Sequence, residues 1–396
     1  MSDWNRVQLA DLLAEPLRNG VSYPSKLRGR GIPMVNMGEA FAYDVIQDQE
    51  CELVPLTERE RERFLLDEGD LLFVRQSLAY AGAGRCVLVG ASSGPRTWES
   101  HLIRARLDKR VADSRFIYYY FRSPAGRSNI ETIITQVAAA GIKGSELKKL
   151  QVPRPSLMEQ QGISAVLGAL DEKIELNERI RFTSDELLRS QYQAVCLSAS
   201  ESISIGKLGK LVRDGVSLAS LTGGECYIGL EHMPRRNMWM SNWEVNAELA
   251  SGKSAFRSGD VLFGRLRPYF HKVGLALTSG VCSTDILVIR PTVPSRLGWL
   301  LLSLSSDKVV AHASAVGDGT RMPRTKWQDL DSFAIPWPGE ESATHLNELV
   351  RSLGVRIQTS VEESRTLATL RDTLLPRLMS GRLRVEDAEK IVEDHV

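Results

Sequence analysis

The sequence predicts an α+β chain, in which two mixed α/β domains are separated by two long antiparallel helices forming a coiled-coil spacer with a pseudo-two-fold internal repeat. Three observations predict this class. An apolar stripe at helical spacing runs from Ile163 to Val195 with no proline in it. A second stripe follows at an offset of 183 residues, where Leu346, Val350, Leu353 and Ile357 match Ile163, Leu167, Leu170 and Ile174. The string Gly-Asp-x-Leu-Phe stands once in each flanking region, at Gly69 and at Gly259. The expected divisions are a first domain over residues 1–155, a long helix over 156–197, a second domain over 198–338, and a second long helix with its tail over 339–396.

Taken in order, the first domain opens with Val7 to Leu13, then Arg18-Asn19-Gly20-Val21-Ser22 and a loop to a strand at Met34 to Met37. The acidic stretch from Glu50 to Asp70 reads as a solvated connection or an exposed helix. Gly69 to Arg75 is a turn entering a buried strand, followed by a glycine-containing loop to Arg85, the strand CVLV and a strand at His101 to Leu107. A helix from Ser114 to about Arg122 and a loop from Ala140 to Ser145 complete it.

The first long helix has a marked start. Ser156 and Glu159 form an S-x-x-E capping box, with Pro153 and Pro155 just outside the helical ladder. Its seam is narrow, so it needs a partner, and the second stripe, extended through Leu367, Leu370 and Leu374, supplies one. Over about 40 residues at ~1.5 Å each, the first helix spans roughly 60 Å, with the second expected to be somewhat shorter. Asn177 falls in the seam, where it either fixes register or meets solvent at a gap.

The second domain repeats the first. Arg213-Asp214-Gly215-Val216-Ser217 echoes the segment at Arg18, and Leu330, Phe333, Ile335, Pro336 and Pro338 lie 183 residues after Leu147, Leu150, Val152, Pro153 and Pro155. The second helix lacks a clean capping box.

Composition narrows the function classes. At 396 residues the chain suits two or three domains, and no apolar run approaches the ~18 residues that a membrane helix requires. The amino terminus carries no secretory signal, and five scattered cysteines suggest reduced thiols in the cytoplasm rather than a disulfide framework or zinc site. Phosphate-loop, dinucleotide-binding, H-E-x-x-H, C-x-x-C and G-x-S-x-G motifs are all missing, as is the Asn-Pro-Pro-aromatic string of amino-methyltransferases. No catalytic residue and no metal site is therefore expected in this chain.

A formal net charge of +1 leaves the distribution of charge to carry the reading. Pro16 to Gly38 holds Arg18, Lys26, Arg28 and Arg30 without an acid, and Leu71 to Trp98 holds Arg75, Arg85 and Arg96 without one. Gln76 and Lys143 join this first set. The corresponding part of the second domain, Val261 to Thr284, is also free of acids and holds Arg265, Arg267, Tyr269, His271 and Lys272, with Arg321, Arg324 and Lys326 following. Locally basic segments recurring in a neutral chain are expected if one face of each domain meets DNA phosphates and base edges. Taken singly, each is equally read as a surface arginine or a packing aromatic, and Gly-Asp-x-Leu-Phe as a structural turn.

The string Pro153-x-Pro155-x-x-x-Glu159-Gln160-x-x-Ile163, continued by Leu170-Asp171-x-Lys173-Ile174-x-x-Asn177, resembles the central conserved region of Type I restriction-modification specificity subunits. Leu374-Leu375-Pro376-Arg377-Leu378-Met379-Ser380-Gly381 resembles the distal conserved region of that family. The resemblance implies two target recognition domains, each reading one half of a split double-stranded DNA target. It implies that the helices set the gap and dock modification (methyltransferase) subunits, two per chain, with Glu159, Gln160, Asp171, Lys173 and Glu175 as docking candidates. It also implies that no cofactor belongs to this chain: S-adenosylmethionine, ATP and Mg are expected only on the modification subunits and a restriction (motor-nuclease) subunit. Two other classes stay open: a self-contained DNA-modifying enzyme, and a helical scaffold whose domains bind protein or carbohydrate.

Overall fold

The computed structural model describes residues 4–136, 139–217, 219, 221, 224–245, 249, 251–316 and 323–394. The chain divides into two units, Met1–Glu172 with Leu367–Val396 and Lys173–Thr366, so the division falls within both long helices.

In the first unit the strand Arg6–Gln8 pairs antiparallel with Gln151–Pro153, closing the domain on itself just before the long helix begins. The main sheet runs in the order Arg18–Asn19, Leu102–Ala105, Leu71–Val74, Cys86–Val89, Val45–Ile46. Its register sets Phe73 opposite Ile103 and Leu72 opposite Val87. A smaller sheet joins Glu52–Val54, Ile32–Val35 and Thr97–Trp98. Between them lies a core of Val35, Leu72, Val74, Val87, Trp98 and Leu102. The helix Ser114–Arg122 forms where the sequence predicts it, with the Asp113 carboxylate accepting the Phe116 N–H at 2.8 Å. It covers the other face of the sheet, its Phe121 meeting Phe73 edge to face at 5.0 Å.

The Gly-Asp-x-Leu-Phe turn needs its first two residues for separate reasons. Gly69 has φ +93, a left-handed conformation that a Cβ would strain. Asp70, 1% exposed, accepts the Asp67 N–H and receives two bonds from Arg106 of the neighbouring strand, Nε at 2.8 Å and Nη2 at 2.7 Å.

Three local expectations are corrected. The strand predicted at Met34 to Met37 is Ile32–Val35, and a helix Met37–Ala42 follows because Glu39 folds back onto the Asn36 N–H. The acidic stretch is neither one helix nor plain connection: it holds the strand Glu52–Val54 and a short helix Glu58–Arg61 capped by Thr57. The loop at Ala140 to Ser145 contains the strand Ala140–Gly141 and the turn of helix Gly144–Leu147.

The second unit is built to the same order. Glu201–Ser204 pairs with Ala334–Trp337 as Arg6–Gln8 pairs with Gln151–Pro153, which gives the 183-residue repeat at Ile335 its structural meaning. Its main sheet runs Gly209–Val212, Ile286–Pro291, Val261–Gly264, Val273–Leu275, and a second sheet includes the parallel pair Cys226–Ile228 and Gly280–Cys282. The apolar helix Leu297–Leu304 is buried from Gly298 onward, with Trp299 against Tyr192 of the long helix at 4.6 Å.

The long helices are Leu157–Ser198 and Glu340–Met379, of 42 and 40 residues. The second is thus nearly as long as the first and begins ahead of Leu346, its start defined by Gly339 at φ +87 and by Glu340 and Glu341 at the positive end of the helix dipole. The capping box of the first is half formed: the Glu159 N–H donates to Ser156 Oγ at 3.2 Å. Within each unit the two helices run antiparallel. In the first, Asp171 meets Arg371 at 2.7 Å while Gly162 faces Val385 of a further helix, Val385–Glu393. In the second, Asn177 donates to Glu363 at 2.7 Å and to Ser364 at 3.1 Å. Asn177 is 6% exposed, so of its two readings the partnered seam position is the one observed.

Candidate nucleic-acid interface

The strand Leu71–Val74 ends at Arg75, whose backbone is fixed on both sides. Its N–H donates to His101 O at 2.7 Å, and its carbonyl accepts the Ile142 N–H at 2.9 Å. Gln76 then pairs with Gly141, which brings Arg75, Gln76 and Lys143 to one edge of the unit. Gln76 and Lys143 are exposed and Arg75 half-buried, and these three side chains spend no hydrogen bond or ion pair on the described residues.

The second unit repeats this construction bond for bond. Arg265 follows the strand Val261–Gly264, its N–H donates to Asp285 O at 2.9 Å, and its carbonyl accepts the Thr325 N–H at 3.0 Å. Leu266 bridges Arg324, so Arg265, Arg324 and Lys326 share an edge as Arg75 and Lys143 do. The Arg265 Nε is shut off from solvent without a hydrogen-bond partner among the described residues, and Arg324 pairs with Asp285 at 3.4 Å. Arg267 and His271 flank the turn Pro268–Phe270 at φ 51 and 53, left-handed conformations that cost a non-glycine residue about 1 kcal/mol or more each. That backbone holds Tyr269 outward at 55% exposure.

Other predicted residues fall elsewhere. Arg18 reaches back to Arg63 O beside the Phe64 ring, and its pKa is lowered by burial and by neighbouring Arg104. Lys26 and Arg30 are exposed in the loop entering Ile32–Val35, while Arg28 donates to Tyr23 O at 2.8 Å and to Glu52 at 2.7 Å. Arg85 is held by Ala40 O and Asp44 at 2.9 and 2.8 Å. His271 is 3% exposed with Nε2 against Ser305 O at 2.7 Å, so its side chain supports the turn from inside rather than meeting a ligand. Lys272 is half-buried and bound to Leu230 O. Arg321 lies outside the described residues.

Among the docking candidates, Gln160 is corrected by its burial. At 1% exposure it accepts the Asp113 N–H and donates to Pro155 O, fastening the helix start to its own domain. Asp171 accepts from Tyr119 and Arg371, both at 2.7 Å. Lys173 faces Glu363 at 3.4 Å, Glu175 pairs with Arg179 at 2.5 Å, and Glu159 is half-buried.

Sequence reasoning missed the residues that brace these loops. Arg127, on the helix Pro124–Glu131, donates to Ala83 O at 2.8 Å and Tyr80 O at 3.2 Å. Leu78, 95% exposed, was also passed over, although a lone large apolar residue in the small-residue run S-L-A-Y-A-G-A-G is a visible signal. Among the described residues there is no group of three potential metal ligands, no helix long and apolar enough to cross a membrane, and all five cysteines are free.

Residues 1–182 match the Type I restriction modification DNA specificity domain. The fold is that of such subunits: the Type I restriction-modification system S subunit from M. genitalium superposes with a TM-score of 0.57 at 16% identity, over 95% of this chain and 96% of that one. In sequence, the chain is 23% identical over 304 residues to the Type I restriction enzyme MjaIX specificity subunit of Methanocaldococcus jannaschii, across 69% of this chain and 70% of the relative. It is 30% identical over 164 residues to the EcoKI specificity subunit of Escherichia coli K12, across 41% of this chain and 35% of the relative. By these comparisons the chain is similar to Type I restriction-modification specificity subunits, the family match lying in residues 1–182.

Proposed function

We propose that this chain is the non-catalytic DNA-specificity subunit of a Type I restriction-modification complex, and that each unit reads one half of a bipartite double-stranded target. The observation that supports it is recurrence: Arg75 and Arg265 stand at the same strand end, and the carbonyl of each accepts the N–H of the residue just before a lysine, Ile142 before Lys143 and Thr325 before Lys326. Cationic and amide side chains presented this way suit phosphates and the major-groove edges of guanine and adenine.

In this reading the long helices set the spacing between half-sites and dock two modification subunits per chain, which work in the cytoplasm. The modification subunits bring S-adenosylmethionine and transfer methyl groups to adenine. A restriction subunit brings ATP, Mg and cleavage. This chain contributes the address.

The test is an exchange of residues 1–155 for the corresponding domain of a relative, in the chain co-expressed with its modification subunits, followed by genome-wide mapping of methylated adenines. One half of the target changes and the other persists. If both halves change, or neither does, the modular reading fails. Methyl transfer by the purified chain alone would instead establish a self-contained enzyme.

A further inference from the structure

The loop between the strands Leu71–Val74 and Cys86–Val89 carries an apolar side chain in an unusual setting. Leu78 is 95% exposed, yet the loop beneath it is built rigidly. Ser77 is buried, and its Oγ accepts the Ala79 N–H at 3.2 Å. Gly82 is buried so closely that a Cβ there would lie 2.4 Å from Ser77 Oγ and 3.0 Å from the Phe41 ring. A Cβ at Gly84, at φ +73, would strike Ile130 at 2.3 Å. The Arg127 guanidinium ties down the carbonyls of Tyr80 and Ala83, as described above. A mobile loop exposes a leucine at little consequence, but here the packing fixes the pedestal and leaves the leucine uncovered. Gln76 stands two residues before it, in the edge that Arg75 and Lys143 share.

The second unit independently places a large side chain at the tip of the equivalent loop. Tyr269 is exposed there, held out by the left-handed residues Arg267 and His271 and by the buried His271 ring. Two loops of different length and sequence thus converge on one design, a braced turn with an uncovered apolar or aromatic tip beside basic residues.

We infer that Leu78 is a wedge that enters a base step of the DNA and partly unstacks it, with Tyr269 as its counterpart in the other unit. The inference rests on the DNA-reading role proposed above. Apolar side chains inserted between base pairs offset part of the unstacking cost by burial, and easily opened pyrimidine–purine steps yield to them first. Leu78 would then select sequence through deformability, without a hydrogen bond to any base.

The test uses the full chain with its modification subunits and duplexes of the mapped target, carrying 2-aminopurine at successive positions of the half read by the first unit. Wild type is expected to raise fluorescence at one step. Leu78→Ala should remove that rise and weaken binding by about tenfold, the loss of roughly one side-chain insertion, whereas Leu78→Phe should keep the rise. Footprinted binding by wild type with no rise at any position overturns the wedge and leaves the DNA reading standing; no binding by wild type overturns both. If Leu78→Ala leaves fluorescence and affinity unchanged but loosens the modification subunits, Leu78 is a protein contact and the wedge is overturned.

Discussion

Asp260 and Arg290 are bound as Asp70 and Arg106 are in the other unit: a carboxylate at the start of one strand takes Nε and Nη2 of an arginine on the next, both at 2.7 Å. Asp260 also accepts the Arg257 N–H at 2.8 Å, so one carboxylate closes the turn and clamps the sheet. Asp260→Ala leaves Arg290 without its partner and frees the Arg257 N–H. The expected cost is about 3 kcal/mol, reduced from a fully buried pair because Arg290 is 27% exposed. Urea unfolding measures it, and a loss under 1 kcal/mol would refute the clamp.

The two basic edges should separate by half-site. Arg75→Ala is expected to weaken DNA binding by roughly 1–3 kcal/mol if the side chain reads a base, with relaxed specificity in one half only. Arg265→Ala should do the same for the other half. A residue that meets phosphate instead lowers the salt slope by about one with no change in target. Titrations of both single variants at several salt concentrations decide which holds, and unchanged affinity and slope would remove the residue from the interface.

Asn177 and Glu363 should be energetically coupled. Their hydrogen bond lies in the seam, with Lys173 also facing Glu363. A double-mutant cycle with Asn177→Ala and Glu363→Ala is expected to return about 1–2 kcal/mol. Additive losses would show that the register is held by apolar packing alone.

His271 gives the second unit a pH dependence. Burial, the largest cause, and the nearby Arg189 and Arg236 push its pKa below the ordinary 6.5, against the opposing pull of Ser305 O and Asp307. The folded state therefore binds fewer protons than the unfolded one, and stability is full above 6.5 and declines as pH falls below it. Urea midpoints between pH 7.5 and 5.5 should fall for wild type. His271→Asn, which tolerates the left-handed backbone, should flatten that slope.

Much of the architecture was legible because it rests on periodicity. The stripe from Ile163 and its repeat are read directly from apolar spacing, and Asp113 with its six buried followers marks a helix unmistakably. What escaped depends on contacts distant in sequence. Gln160 looks like a polar surface residue until Asp113, 47 positions earlier, claims its amide. His271 looks like a ligand in a basic loop until Ser305 closes over it. The start of the second helix was obscured because Gly339 and two glutamates replace the serine box that marked the first. Arg75 and Arg265 were legible as equivalents, each closing a Gly-Asp-x-Leu-Phe-x-Arg string, but the hydrogen bonds that join them to Ile142 and Thr325 are revealed by no local pattern.

That the division of the chain falls inside both long helices fixes an order of assembly. Residues 173–366 form one uninterrupted segment, whereas the first unit takes its last pieces from residues 367–396. During synthesis the domain made first waits for residues 367–396, with Asp171 lacking its Arg371 partner until they arrive. A chain stopped after Thr366 would therefore injure the domain farthest from the cut in sequence and spare the one beside it. Limited proteolysis of such a truncation should leave a resistant fragment from its carboxy-terminal part, within residues 173–366, and not one from its beginning.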